Sequence, residues 1–202
     1  MEIKILKLGV IGTNCYLLST DKAAIIIDPA FENDKTLEFL NDNKDKERLI
    51  LITHGHFDHI SGALSLRRET GVKIAVGEYE NDYLSDNELN MSCRFKKPLT
   101  PFGADILLKD NEEITVGDLT FKTIFTPGHT RGGVSFLFQN EIFSGDTLFF
   151  ESIGRTDFPG GNYHTLINSV KKLLSLDKDY TVYSGHGDKT TLSHEREYNP
   201  FI

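Results

Sequence analysis

Arg48-Leu49-Ile50-Leu51-Ile52-Thr53-His54-Gly55-His56-Phe57-Asp58-His59 is the stretch on which the fold turns. Its first half is a short, continuous apolar run, the pattern of a strand buried on both faces. Its second half, His-x-His-x-Asp-His, puts four side chains of metal-ligand type within six residues. On an extended or turning backbone His54 and His56 point the same way, while Asp58 and His59 swing toward an adjacent centre, so one segment serves two metals. Zinc takes imidazole nitrogen and carboxylate oxygen at ~2.0–2.2 Å, and a catalytic site keeps one position for water. The bland alternative is a solvated, histidine-rich turn.

Three later stretches argue against that alternative. Thr126-Pro127-Gly128-His129-Thr130, Phe143-Ser144-Gly145-Asp146-Thr147 and Tyr183-Ser184-Gly185-His186-Gly187 each follow a strand-like run. Each sets a ligand-type residue beside glycine, where loops converge and small residues allow close approach. Any one of them reads as a cap or a hydrogen-bonded turn; together with the first motif they read as one metal site. Five of the seven histidines belong to this constellation, and His164 and His194 read as structural.

The flanking pattern supplies a frame. Strands are expected at about 2 to 9, 14 to 19, 23 to 28, 48 to 53, 113 to 126, 133 to 139, 141 to 145 and 180 to 184. Helices are expected at about 33 to 44, 60 to 70 (stopping at Gly71) and 162 to 175. Residues 78 to 110 are less regular, with a short helix near Glu80 to Leu84 and a loop over Lys96 to Gly103, a length typical of a lid or binding element. Two strand clusters, each closed by helices, predict two packed sheets with helices outside, within one domain spanning 1 to 202.

Composition bounds the function. The 202 residues suffice for a substantial core, and 39% apolar with 26% charged residues describes a globular chain. With 22 Lys and Arg against 30 Asp and Glu, the net charge of -8 disfavours nucleic acid and anionic lipid as partners. Cys15 and Cys93 are too few to staple the chain and form no CxxC pair. The alternating N-terminus lacks the apolar core of a secretory signal, and no run approaches the ~20 apolar residues of a membrane span, so a cytoplasmic protein is expected.

The ordered set HxHxDH, His129, Asp146 and His186 resembles the metallo-β-lactamase superfamily over nearly the whole chain. Within it, Gly145-Asp146-Thr147-Leu148-Phe149 and Gly154-Arg155-Thr156-Asp157-Phe158 are similar to stretches of the glyoxalase II-like (hydroxyacylglutathione hydrolase-like) enzymes. The resemblance implies an αββα sandwich of the α/β class. It implies one metal on His54, His56 and His129, another on Asp58, His59 and His186, and Asp146 bridging them. Two divalent ions are implied, zinc first, with iron or manganese as alternatives. The implied reaction is hydrolysis of a small anionic thioester, S-2-hydroxyacylglutathione or a related thiol conjugate, by a metal-activated hydroxide that Asp58 helps orient. The bridging aspartate separates this pattern from true β-lactamases.

Arg155 matches a basic position that contacts a substrate carboxylate in that family, although an ion pair with a neighbouring acid is an equal reading of Arg-Thr-Asp. A tyrosine found two positions later in the longer enzymes is here Asp157. Only 16 residues follow His186, so the C-terminal helical domain of the longer enzymes is not expected. Arg94, Lys96 and Lys97 read as a solvated basic loop or as a receiver for an anionic tail. The competing functions are a mononuclear-iron persulfide dioxygenase on the same scaffold and, behind it, a nucleic-acid phosphodiesterase, which an acidic chain does not favour. A monomer or small homo-oligomer is expected.

Overall fold

The apolar run before His54 is a strand, Glu47–Ile52, inside a six-stranded sheet. The computed structural model describes residues 1–202. This first sheet holds β1 (Glu2–Leu8), β2 (Thr13–Ser19), β3 (Ala23–Ile27), β4 (Glu47–Ile52), β5 (Lys73–Gly77) and β6 (Ile106–Leu108), in that spatial order. Neighbours from β1 to β3 are antiparallel and from β3 to β6 parallel. The second sheet begins with β7 (Glu113–Val116), β8 (Leu119–Phe125), β9 (Val134–Phe138) and β10 (Glu141–Gly145). A small hairpin follows, β11 (Leu148–Phe149) with β12 (Ser152–Ile153), and β13 (Thr181–Ser184) and β14 (Thr190–Thr191) then complete the second sheet. Its order is β14-β13-β10-β9-β8-β7, with β10 and β13 parallel.

Side-chain alternation along β4 shows why that run is apolar throughout. Leu49 and Leu51 enter a core between the sheets with Ile25, Ile27, Phe121, Phe136 and Phe143. Ile50 and Ile52 enter the opposite core with Leu40, Ile60, Ala63 and Leu66, carried by α1 (Asp34–Asp42), α2 (Phe57–Ile60) and α3 (Ala63–Thr70) or the turns beside them. A third core packs Ile124, Ile142 and Val182 of the second sheet against Leu166, Val170 and Leu173 of α4 (Tyr163–Leu174) and Leu192 of α5 (Leu192–Tyr198). The layers are therefore helix, sheet, sheet, helix, the expected αββα sandwich. Each fully buried Leu, Ile or Phe here contributes roughly 1.5–3 kcal/mol.

Several elements differ from the sequence expectation. The helix expected over 60 to 70 is two helices, and it breaks where Gly62 N–H turns away to donate to Pro29 O at 2.9 Å. The long strand expected over 113 to 126 folds back on itself as the β7–β8 hairpin. β5 and β6 were not expected: they are short segments that extend the parallel sheet beyond β4, β5 pairing on both sides and β6 closing the edge. α5 was also unexpected, and the short helix near Glu80 is a 3-10 turn over Glu78–Leu84. No helix is long and apolar enough to cross a membrane.

Candidate metal centre

Parallel pairing brings the ligand-type residues to one edge of the sandwich. β3 and β4 run side by side, so Asp28, just past β3, faces Thr53, just past β4: Thr53 N–H and Oγ1–H donate to its two carboxylate oxygens at 2.8 and 2.6 Å. In the other sheet β10 and β13 pair in parallel with a register shift at Gly145, which sets Asp146 beside His186. Val134 N–H donates to Thr53 O at 2.8 Å and stitches the two sheets together where His54 begins.

The seven candidate ligands meet there: two triads account for six of them, and a third, His54, His59 and Asp146, overlaps both. Ligand atoms of His54, His56 and His129 lie within 4.8 Å of one another, as do those of Asp58, His59 and His186. His56 Nδ1 and His129 Nε2 converge to 2.9 Å in the first set. In the second, Asp58 Oδ2 is 3.4 Å from His59 Nε2 and 3.3 Å from His186 Nε2. Asp146 stands between the sets: its Oδ2 is 3.5 Å from both His129 Nε2 and His186 Nε2, and its Oδ1 is 3.4 Å from His59 Nε2.

These residues suit cations. Of seven buried side-chain polar atoms without a hydrogen-bond partner, four belong to this cluster, namely Nε2 of His54, His56 and His59 and Oδ1 of Asp146. Native proteins rarely leave such atoms unpaired, so the concentration points to a ligand they receive. Burial and the neighbouring histidines push His54 well below its ordinary value, and burial with His129 pushes His56 down to about 3, so both rings are neutral lone-pair donors. Burial opposes a charge on His59, yet Asp58, Asp146 and Asp28 outweigh it and raise that ring to about 10. The carboxylates demand positive charge at this point, and a metal ion meets that demand.

Outer partners orient the ligands, and several were not singled out by sequence. His59 Nδ1 faces Asp28 Oδ2 at 2.9 Å, His129 Nδ1 donates to Arg155 O at 2.6 Å, and Thr13 Oγ1 donates to Asp58 Oδ2 at 3.0 Å. Such contacts fix the ring tautomer and leave Nε2 of His59 and His129 as the donor atoms. Buried Glu80 spans two loops, its oxygens accepting Gly55 N–H at 2.7 Å and Gly132 N–H at 2.8 Å. Asp28 carries a readable signal, an acid directly after Ile25-Ile26-Ile27 where the chain is buried. Glu80, in the polar run Glu78-Tyr79-Glu80-Asn81-Asp82, carries none.

Arg155 sits beside the centre but with its fork filled. Nε and an Nη bond Asp157 at 2.7 and 2.6 Å, the ion-pair reading raised by the sequence, and its guanidinium lies 4.0 Å from the Phe158 ring centroid. His164 is exposed on α4 and His194 pairs with Glu151 at 3.0 Å, so both stay outside the cluster.

Comparison with known proteins bears on the family and the fold. The profile of the family described as "Metallo-beta-lactamase superfamily" matches residues 8–186. The "Hydroxyacylglutathione hydrolase GloC" of Haemophilus influenzae is 36% identical over 208 residues, covering 100% of this chain and 98% of that protein. The crystal structure of BLEG-1 B3 metallo-beta-lactamase superposes with a TM-score of 0.90 at 39% identity, covering 99% of each chain. TTHA1623, solved in a di-iron-bound form, superposes with a TM-score of 0.86 at 30% identity, covering 98% of this chain and 100% of that one. The cluster is a metal-binding His/Asp site.

Proposed function

The chain belongs to the metallo-β-lactamase superfamily, and from that footing we propose that it is a binuclear thioesterase, converting an S-2-hydroxyacyl thioester and water into a 2-hydroxy acid and a free thiol. The observation that carries this reading is the place of Asp146 between two three-residue donor sets. His54, His56 and His129 would hold one divalent cation and Asp58, His59 and His186 the other, with zinc the expected metal. When bound, the pair supplies Lewis acidity, making water acidic enough to attack near neutral pH and polarising the scissile carbonyl. Two divalent cations outweigh the charges of Asp58 and Asp146, so the site draws anionic substrates.

The chain's own groups suit a thiol leaving group. Burial works against ionised Asp58, but His59, His186 and Thr13 hold its carboxyl well below the ordinary range. Holding a cation, Asp58 would be ionised, so it would accept a hydrogen bond from the attacking water and carry no proton to give away. A thiolate, with a pKa near ~8.5, departs without a protonated acid, whereas an amine does not. A relative of similar length named hydroxyacylglutathione hydrolase supports the same substrate class.

A panel assay on protein of known metal content tests the reading: 2-hydroxyacyl thioesters, β-lactams, phosphodiesters, and persulfides with oxygen uptake recorded. Thioester turnover with two metals per chain, lost on chelation and in Asp146→Ala, is the expected result. One iron per chain with persulfide-dependent oxygen consumption and no thioester turnover would replace it with the dioxygenase. The likeness to BLEG-1 keeps β-lactams in the panel, and their preferential turnover would overturn the argument drawn from Asp146.

A further inference from the structure

Two guanidinium groups lie over one ring at the edge of the metal centre. The Phe158 ring packs edge-on against His56, centroids 5.6 Å apart. Arg155 lies 4.0 Å and Arg94 5.4 Å from its centroid. The two cations differ in what holds them. Asp157 takes Arg155 with two hydrogen bonds, which neutralises its charge and occupies the planar donor pair that a carboxylate would use. The Arg94 side chain is exposed and makes no ion pair or hydrogen bond, feeling Asp157 only at longer range. Its position is nevertheless built: Asn90 O accepts Phe57 N–H at 2.9 Å, and the Phe95 ring packs 4.7 Å from Phe57, the residue between His56 and Asp58.

We propose that Arg94 receives the anionic end of the substrate, and that Asp157 sets this specificity by closing the fork of Arg155. The inference rests on the thioesterase reading and names what that site recognises: a thiol carrier bearing a carboxylate that reaches past Phe158. A carboxylate gains a full charge-assisted partner in Arg94, whereas at Arg155 it must first displace Asp157.

Lactoyl thioesters of glutathione and of glutathione diethyl ester, identical except for the carboxylates, separate the two arginines. Metal-loaded wild-type enzyme is expected to prefer the acid form, and R94Q to lose about tenfold of that preference through KM with kcat unchanged. R155Q leaves Asp157 without its partner beside Arg94, so it is read only together with D157N. D157N is expected to increase the ratio, and R155Q added to D157N to cancel the increase. A ratio that stays constant in R94Q, or that R94Q does not lower in the R155Q/D157N background, overturns the proposal. If no thioester is hydrolysed, the thioesterase reading fails by itself; calorimetric binding of S-methylglutathione and its diethyl ester to the same metal-loaded variants then decides for or against Arg94 by the same ratios.

Discussion

Asp28 Oδ2 lies 2.9 Å from His59 Nδ1, and because a carboxylate only accepts, a ring proton sits on Nδ1 and the lone pair offered to a metal is that of Nε2 once its own proton is displaced. The other neighbours of Asp28 are also donors, the N–H and hydroxyl of Thr53. Asp28→Asn must turn its amide toward one of them. Facing His59, it favours the opposite tautomer and takes the lone pair from Nε2; facing Thr53, it leaves an N–H unpaired. Asp28 holds a positive φ of 52°, which asparagine tolerates at least as well, so the variant tests hydrogen bonding and not the backbone. Metal affinity should fall by about 10–100-fold, read from competition with a chelating dye; unchanged affinity would remove Asp28 from the ligand-orienting set.

Metal loading should release protons. Against the effect of burial, the three carboxylates around His59 raise its pKa to about 10, so metal-free protein at neutral pH carries a proton there that a cation must displace. Calorimetric titration at pH 7 in buffers of different ionisation enthalpy should show about one proton or more released per chain. A heat independent of buffer would contradict a metal at His59.

Gly185→Ala should weaken the metal centre without unfolding the protein. A Cβ at this position would come 2.1 Å from Asp146 Oδ1 and 2.7 Å from His59 Cε1. The backbone has little room to retreat, since Gly185 N–H donates to Gly145 O at 2.8 Å and its carbonyl accepts Asn14 N–H at 2.7 Å. The expected outcome is a circular dichroism spectrum like that of the wild type, with metal affinity lowered by about 10–100-fold, comparable to the loss of an outer partner. Wild-type occupancy at limiting zinc would show that Asp146 does not need this position.

Glu80→Ala strands the Gly55 and Gly132 amides, at a cost of roughly 1–3 kcal/mol for each buried N–H, measurable by denaturant unfolding. Removing a buried charge offsets part of this, and Glu80→Gln, which keeps one carbonyl acceptor, should fall between the two. Stability equal to wild type in both variants would show that the span between the loops contributes nothing.

The same carboxylate should leave a pH signature. Burial raises Glu80 from 4.5 to about 7 although it accepts the Gly55 and Gly132 N–H groups. The folded state therefore holds this proton more tightly than the unfolded one. Its favourable contribution is complete below pH 4.5 and is lost as pH rises toward about 7. Wild-type stability measured relative to Glu80→Gln should decline across that window, by at most about 1.4 kcal/mol per pH unit, and remain level above it. A difference that grew with pH would reverse the assigned direction.

Much of the frame was legible because its signals are local. The β4 run, the polar helix ahead of it and the α4 pattern each lie within a dozen residues and were found close to their observed bounds. β5 and β6 were not, since Lys73–Gly77 and Ile106–Leu108 are too short to show a period and become strands through their neighbours. Asp28 and Glu80 escaped for a related reason: the groups they bond lie 25 to 52 positions away in the chain.

By itself, then, the sequence pointed to side chains that could bind metal and to strand ends for His54, His129, Asp146 and His186, because ligand chemistry and glycine spacing are written residue by residue. The division of those side chains came from the family resemblance; only the tertiary structure gives the distances, with His56 Nδ1 facing His129 and Asp58 facing His186 across Asp146. It also decided which arginine is free, since Asp157 closes on Arg155 while Arg94 arrives beside Phe158 from a distant segment. The physical reason is that strand register and parallel pairing set distances between residues far apart in the chain, and coordination and charge pairing depend on those distances.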